Sequence, residues 1–466
     1  MARAKFQQTI KRWTQIPTSY AEVQVEANLM TVMWEELEVG FHKSVLHPAI
    51  GSGLIADWLL YQDLDRPPIL VVEDKKRIPE LADVPDADFV EKCEKHCLYK
   101  EAVGDFSGSP GNNGIRQYLD SSKVKPDRLA SYGLVFNGDF FQLWRRVDGL
   151  VLPMTPIQRM TAETIPTLMG QLQYILTSPK RALITSIWNR KGGVSKTTNT
   201  VNLGATLAVQ GKRVLLIDAD EQNDLTRGVG LVPDALEGWF EESVDMLQKN
   251  DFDAAKSLVS KALHRRMFPL SSVPASNYSF HVLSIPELSI KEFRRTNDIS
   301  NPDKIKVFKR LVNLVAGGFD YIFIDTSPAY EVFTSCILYA ADTVLIPVDY
   351  GKKSLYHGVD IYKFLRDVRA KRAEHDKLYL GPWNLGLLFS NCPPDAGAVL
   401  NGLMSDELAG HKFTGRQCQT RIQTYAQTKV AEFKCAPVVC WQASPVTQLY
   451  RNLANELFLK YNSINE

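Results

Sequence analysis

Apolar residues in this chain come in short runs separated by amphipathic stretches, and the runs differ between its two parts. In the first part, Val23, Val25, Leu29, Val32, Met33 and Leu37 recur at helical spacing between Tyr20 and Val39, predicting a helix with Glu26 near its start. Leu54–Tyr61 and Ile69–Lys75 then read as two strands joined by the turn-forming 62–68 segment, Gln-Asp-Leu-Asp-Arg-Pro-Pro. Gln117 to Leu119 fall on a short helix, and the Leu129–Trp144 stretch that follows carries Asn137-Gly138. Leu150 to Lys180, with Pro153, Pro156 and Pro166 around a helical patch from Leu168 to Leu176, reads as a connector. Beyond it, Ala182–Trp188, Arg213–Asp220, Phe319–Pro328, Thr343–Val348, Leu385–Phe389 and Ala436–Trp441 are apolar enough for buried strands. Helical runs cover Lys196–Val209 and Val446–Lys460, while Val232–Asp298 reads as a charged insert with a helix at Ala254–His264 and a strand at Phe280–Ile285. Alternating strands and helices predict an α/β architecture for this second part.

At 466 residues the chain is long enough for two or three domains. With 45% hydrophobic and 23% charged residues it has the composition of a folded globular protein, and a net charge of +1 gives no global attraction to nucleic acid or membrane. Met1–Trp13 carries Arg3, Lys5, Lys11 and Arg12 without an apolar core, so no secretory signal is read there, and no apolar run approaches a membrane span. The seven cysteines form no paired framework; Cys93 and Cys97, with His96 between them, lack a second ligand pair and read as one helix face. The expected compartment is the cytoplasm, with no membrane partner.

The chemistry begins at Ile187–Thr198, where a strand, a Gly-bearing loop and a helix start follow one another. That order makes a phosphate cradle: backbone N–H groups turn onto the anion and the helix N-terminus adds partial positive charge. Lys196 can reach the β and γ phosphates and the Thr197 hydroxyl can ligate Mg²⁺. The first glycine of the common P-loop is missing and a second lysine, Lys191, stands five residues upstream, giving K-G-G-x-x-K-T-T. This box resembles the deviant Walker A motif of the ParA/MinD ATPases. The resemblance implies ATP and Mg²⁺ as cofactors, held by Gly192, Gly193, Val194, Ser195, Lys196, Thr197 and Thr198, and an ATP-dependent homodimer in which Lys191 reaches the partner's nucleotide. Ser195 stands where that family commonly has glycine. By the same resemblance Asp220 positions the attacking water, Asp218 supports the Mg²⁺ shell and Asp325 is the Walker B ligand. Asn391 either contacts adenine or caps the loop before Pro393. Arg265-Arg266, Lys291–Arg295, and Arg416, Arg421 and Lys429 are either DNA phosphate contacts or solvated charges.

In the first part, a period of two sets Val71, Glu73 and Lys75 on one strand face, with Asp57 on the neighbouring strand. Converging carboxylates call for a divalent cation, and the adjacent lysine can stabilise charge growing at phosphorus. Asp74 with Lys76 fits the same short pattern on the opposite face; the position after Leu70-Val71-Val72 favours Glu73 with Lys75. This layout, with the Asn137-Gly138 hairpin, resembles the PD-(D/E)XK nuclease core of type I restriction motor subunits. The resemblance implies Glu26 as the helix acid, Asp57 and Glu73 as Mg²⁺ ligands, Lys75 as the catalytic lysine and Gln117 as a distal polar residue.

The expected organisation is therefore a PD-(D/E)XK-like α/β domain over 1–153, a connector over 154–180 and a mostly parallel, doubly wound P-loop NTPase domain over 181–466. The leading functional expectation is a dimerising, DNA-associated ATPase with a Mg²⁺-dependent nuclease, acting in defence against foreign DNA. The alternative is a partition or positioning ATPase whose N-terminal domain binds DNA or a partner without cutting. A ParB-like or defence-operon protein is the implied partner, a ParB-like one going with the alternative.

Overall fold

The computed structural model describes residues 6–39, 43–104, 113–177, 181–233, 238–270, 277–296, 302–393, 397–441 and 443–464. It divides into two compact units: Met1–Pro179 with Ala373–Leu380 and Phe458–Glu466, and Lys180–Arg372 with Gly381–Leu457.

The N-terminal unit is built on strands β1 (Ser44–Leu46), β4 (Trp58–Leu60), β5 (Leu70–Asp74), β6 (Tyr132–Phe136), β7 (Phe140–Val147), β8 (Leu150–Pro153) and β17 (Asn462–Ser463), in that spatial order. β2 (Ala49–Gly51) pairs with β3 (Leu54–Ile55) apart from this sheet, and β9 (Gln158–Arg159) pairs with β7. Neighbours run antiparallel except β5 with β6 and β8 with β17, which run parallel. Alternation on β5 sorts its side chains between two cores. Val72 packs with Trp34, Trp58 and Leu134, and Val71 with Leu59, Val135 and Phe140. Helices Gln7–Gln15 and Ile165–Thr177 and the Glu22–Glu36 helical run cover the first core; Asp86–Lys95, Cys97–Val103 and Ile115–Tyr118 cover the second. The stretch read as a connector, 154–180, instead supplies a core helix, since Leu168, Leu172 and Ile175 are buried with Met33 and Leu143. Its apolar face has the spacing of a packed helix, which its flanking prolines obscure.

The second unit has one sheet ordered β12 (His264–Pro269), β13 (Asn277–Ser284), β11 (Val214–Ala219), β14 (Tyr321–Thr326), β10 (Leu183–Ile187), β15 (Thr343–Val348) and β16 (Trp383–Phe389). All pairs are parallel except β12 with β13. Helices lie on both faces, as βαβ crossovers require.

Two expectations are corrected here. Residues 436–441 form no strand: Val438–Cys440 is a 3₁₀ turn whose Val438 N–H is bonded to Asn202 Oδ1 at 2.8 Å. Pro437 brings no N–H to a ladder, and the place beside β16 is taken by 416–423, through the bridges Leu387 with Gln417 and Cys392 with Gln423. The 232–298 stretch is not simply an insert, because β13 lies beside β11 in the main sheet and Arg265 and Arg266 sit on edge strand β12. Among the described residues no helix is long and apolar enough to cross a membrane.

Candidate functional site

The loop between β10 and the Lys196–Val209 helix is shaped by two left-handed residues. Gly193 has φ +74°, and an added Cβ there would meet nothing within 4 Å, so conformation rather than space calls for glycine. Ser195 also has positive φ, +64°, which costs an L-residue about 1–2 kcal/mol. Its hydroxyl donates to Asn391 Oδ1 at 2.8 Å, and Asn391 Nδ2 donates to Gly193 O at 3.3 Å, so Asn391 braces the loop. Asn189 ties the loop base to Pro347 O at 2.7 Å and accepts from Lys191 N–H at 2.9 Å.

The two lysines differ. Lys196 is buried, with Lys191 O as its one hydrogen-bond acceptor among the described residues, at 3.4 Å. Burial lowers its pKa, opposed by Asp325 and Asp220. Lys191 is more exposed and forms an ion pair with Asp349 at 2.5 Å; Asp349 also accepts from Gly351 N–H at 3.0 Å.

Asp218 and Asp325 are paired across β11 and β14 and both are fully buried. Asp218 is raised to about 6 by burial, against the Thr226 hydrogen bonds, and its Oδ2 accepts from Thr226 Oγ1 at 2.6 Å and Thr226 N–H at 2.8 Å. It is thereby committed to holding the following helix turn. Among the described residues neither oxygen of Asp325 has a hydrogen-bond partner of full geometry. Its pKa is driven well up by burial first and the Asp218 charge next, with the Thr197 hydroxyl and Lys196 opposing only in part. A buried, unsatisfied carboxylate beside a threonine hydroxyl suits a hard dication, so Asp325 and Thr197 fit Mg²⁺ better than Asp218 does. Asp220 stands half-buried within reach of the Lys196 charge and accepts from Gln222 N–H at 3.1 Å. Its loop is pinned by Arg294, which donates to Glu221 Oε2 at 2.8 Å and pairs with Glu331.

The other candidate nucleic-acid contacts are engaged too. Arg266 donates to Val229 O at 2.6 Å, Arg295 pairs with Glu292, Lys291 with Glu287 and Lys429 with Glu432, while Arg421 lies over the Phe389 ring. Arg265 donates to Ser279 Oγ at 3.1 Å.

A second cluster lies in the N-terminal unit, where β4, β5 and the Glu22–Glu36 run meet. Lys75 Nζ contacts Glu73 Oε1 at 2.6 Å, Asp74 O at 2.9 Å and Glu22 Oε2 at 3.9 Å. Glu73 is raised to about 8, by burial first, with Lys75 opposing. Tyr118, whose hydroxyl donates to Ile55 O at 2.7 Å, also lies against Glu73. Asp57 Oδ2 accepts from Asp74 N–H at 2.5 Å. Glu26 opens a π-helical turn, Glu26–Met30, and meets His47 Nε2 at 3.1 Å. One ligand atom each from Glu26, His47 and Asp57 lies within 4.8 Å of the others. Gln117 stays outside this cluster: it accepts from Gly114 N–H at 3.1 Å and donates to Gly104 O at 3.3 Å, closing its own helix start. Lys76, the lysine of the alternative phase, is exposed. Sequence reasoning missed His47, Tyr118, Asp349 and Arg294; of these only Arg294 stood in a stretch singled out for its charge.

A family model described as an AAA domain matches residues 182–378. The sporulation initiation inhibitor protein Soj of Bacillus subtilis is 34% identical over 165 residues, 35% of this chain and 57% of that protein. The chromosome partitioning protein ParA of Myxococcus xanthus is 33% identical over 186 residues, 39% of this chain and 59% of that protein. The chain thus spans somewhat over half the length of these curated relatives. The solved cell division ATPase MinD of Pyrococcus furiosus shares 18% identity, with a TM-score of 0.41 over 59% of this chain and 97% of its own. With its two-lysine loop and parallel-rich sheet, the C-terminal part of this chain resembles the P-loop ATPases of the ParA/MinD type.

Proposed function

We propose that the chain is a dimerising ATPase of the partition or positioning kind, binding ATP with Mg²⁺ in the cytoplasm and associating with DNA or a ParB-like protein. The observation that carries this reading is the pairing of a buried Lys196 with an unsatisfied Asp325 at one loop, while Lys191 stands at the loop's shoulder. Lys196 and the loop N–H groups would hold the phosphates, and Thr197 and Asp325 the Mg²⁺, which supplies charge neutralisation when bound. Asp220, steadied through Glu221 and Arg294, would orient water. Lys191 would leave Asp349 to reach a partner's nucleotide. The test is ATP titration with light scattering and phosphate release: a dimer that forms with ATP and not ADP supports the reading, and a monomer at saturating ATP overturns it.

A second reading, a Mg²⁺-dependent nuclease in the N-terminal unit, is favoured by one arrangement: Lys75 held at 2.6 Å from Glu73, beside Asp57 and the helix acid Glu26. Plasmid cleavage that disappears in Lys75→Ala supports it; no cleavage with any nucleotide overturns it and leaves the ATPase reading intact.

A further inference from the structure

We propose that Glu26, His47 and Asp57 form a mixed nitrogen and oxygen site for a divalent transition-metal cation, with Mn²⁺ preferred over Mg²⁺. The three donors come from separate elements: the first residue of the π-helical turn, the turn leaving β1, and the residue preceding β4. Their ligand atoms lie within 4.8 Å of one another. Ligands about 2.0–2.3 Å from a shared ion stand at most about 4.6 Å apart, so small side-chain rotations close the set. His47 is fixed from both ends, its N–H donating to Asp57 O at 2.8 Å and its ring meeting Glu26. Its side chain is 52% exposed, which leaves an entry path, whereas that of Glu26 is 5% exposed.

An independent observation points to a missing positive charge. Asp74 is fully buried and, among the described residues, neither of its carboxylate oxygens has a hydrogen-bond partner of full geometry, the Lys75 backbone N–H acting on it only as a weak donor. Its backbone N–H is bonded to Asp57, and the charges acting on it are those of Asp57, Glu22 and Glu26. Lys75 does not supply the compensation, being bonded to Glu73 and to the carbonyl of Asp74. A cation between Glu26, His47 and Asp57 would relieve these acids together. The donor set differs from the Asp57 and Glu73 pair that the nuclease resemblance implies, because Glu73 is paired with Lys75. Imidazole is a good ligand for first-row transition metals and a poor one for Mg²⁺, so His47 decides the selectivity.

The test uses the full chain without nucleotide, titrated with Mn²⁺ and followed by electron paramagnetic resonance. One tight Mn²⁺ per chain, at least about tenfold tighter than Mg²⁺ by competition, with echo modulation from a directly bound nitrogen, supports the site. His47→Gln should remove the nitrogen signal and weaken Mn²⁺ by about tenfold or more. Asp325→Asn in the other unit should change neither. Absence of nitrogen modulation in the unsubstituted protein overturns the proposal without reliance on any variant, as does Mn²⁺ binding that disappears in Asp325→Asn. Plasmid cleavage is scored on the same samples: nitrogen-bound Mn²⁺ without cleavage supports this site while overturning the nuclease reading, and cleavage with Mg²⁺ alone and no nitrogen-bound Mn²⁺ does the reverse.

Discussion

Each unit brings acids and a lysine to the ends of buried strands, and the two balance the charge in opposite ways. In the P-loop unit Lys196 makes no ion pair among the described residues and donates to a carbonyl at 3.4 Å, at the start of a 14-residue helix whose N–H groups add to its positive field. The phosphate end of this loop is therefore short of an anion, while Asp325 at the strand end still lacks a cation. In the N-terminal unit Lys75 is clasped by Glu73 at 2.6 Å, with Glu22 at 3.9 Å, while Glu26, Asp57 and Asp74 remain, so that site is short of a cation. The same residue types thus give opposite affinities, decided by whether the lysine is spent on its neighbour.

The contrast is broken most severely at the free lysine. Lys196→Ala is expected to lower ATP hydrolysis by about 10²–10³-fold, the scale for losing one preorganised charge at a transferring phosphoryl group. Steady-state phosphate release checks this, and Lys75→Ala in the same assay should leave the rate unchanged. A smaller effect follows from Lys191, which is paired with Asp349. Asp349→Asn keeps the side-chain oxygen that accepts from Gly351 N–H and removes the charge, so Lys191 is released. The ATP concentration for half-maximal dimerisation should fall by about fivefold, corresponding to about 1 kcal/mol, the upper range for a partly exposed ion pair. Sedimentation across an ATP series reads it, and an unchanged midpoint would mean that the pair restrains nothing.

How much of each site could be read from the chain follows from the same contrast. The P-loop is contiguous, so its strand, loop and helix were legible in order, and Lys196–Val209 is helical as its pattern predicts. Asp325 was legible because a buried strand that ends in an acid breaks its own apolar pattern. The N-terminal cluster is assembled from a helix, two strands and a turn, and His47 reaches it only because that turn folds back to bond Asp57 O, a contact no spacing rule encodes. Val438–Cys440 misled for another reason: a β-branched run looks like a strand until a competing segment takes the edge. The Asp218 role was half legible, since its acid was visible but the Thr226 bonds that occupy it are tertiary.

A finer test within the P-loop unit concerns Arg294, which ties the Asp220 loop through Glu221 and Glu331. Because it touches neither Lys196 nor the loop glycines, Arg294→Ala should lower the hydrolysis rate by about fivefold and leave ATP affinity unchanged. Loss of positioning acts on turnover rather than on ground-state binding. Stopped-flow binding beside single-turnover hydrolysis separates the two, and an equal loss in both would assign Arg294 to the stability of the unit instead.

The smallest expected effect sharpens the cation-short side of the comparison. Burial raises Glu73 from an ordinary value near 4.5 to about 8, with Lys75 opposing, and Asp74 is shifted in the same direction. A carboxyl whose folded pKa lies above its unfolded one holds a proton in the native state that the unfolded chain has already released. Its contribution to stability is therefore complete below about pH 4.5 and is lost as pH rises toward about 8. Between pH 5 and 8 the N-terminal unit should lose about 1 kcal/mol, or about 2–4 °C, less than the full shift would give because relaxation and water entry moderate the cost of ionising a buried carboxyl. Amide exchange of peptides spanning 58–74 reads that loss without interference from the other unit. Glu73→Gln should flatten the profile, since it keeps the shape and removes the proton. Mn²⁺ should restore stability at pH 8 in the unsubstituted protein, because a cation beside Asp57 favours the ionised acids that the bare site disfavours. If exchange is instead slowest at pH 8 without metal, Lys75 alone neutralises the cluster and the two units balance their charge in the same way.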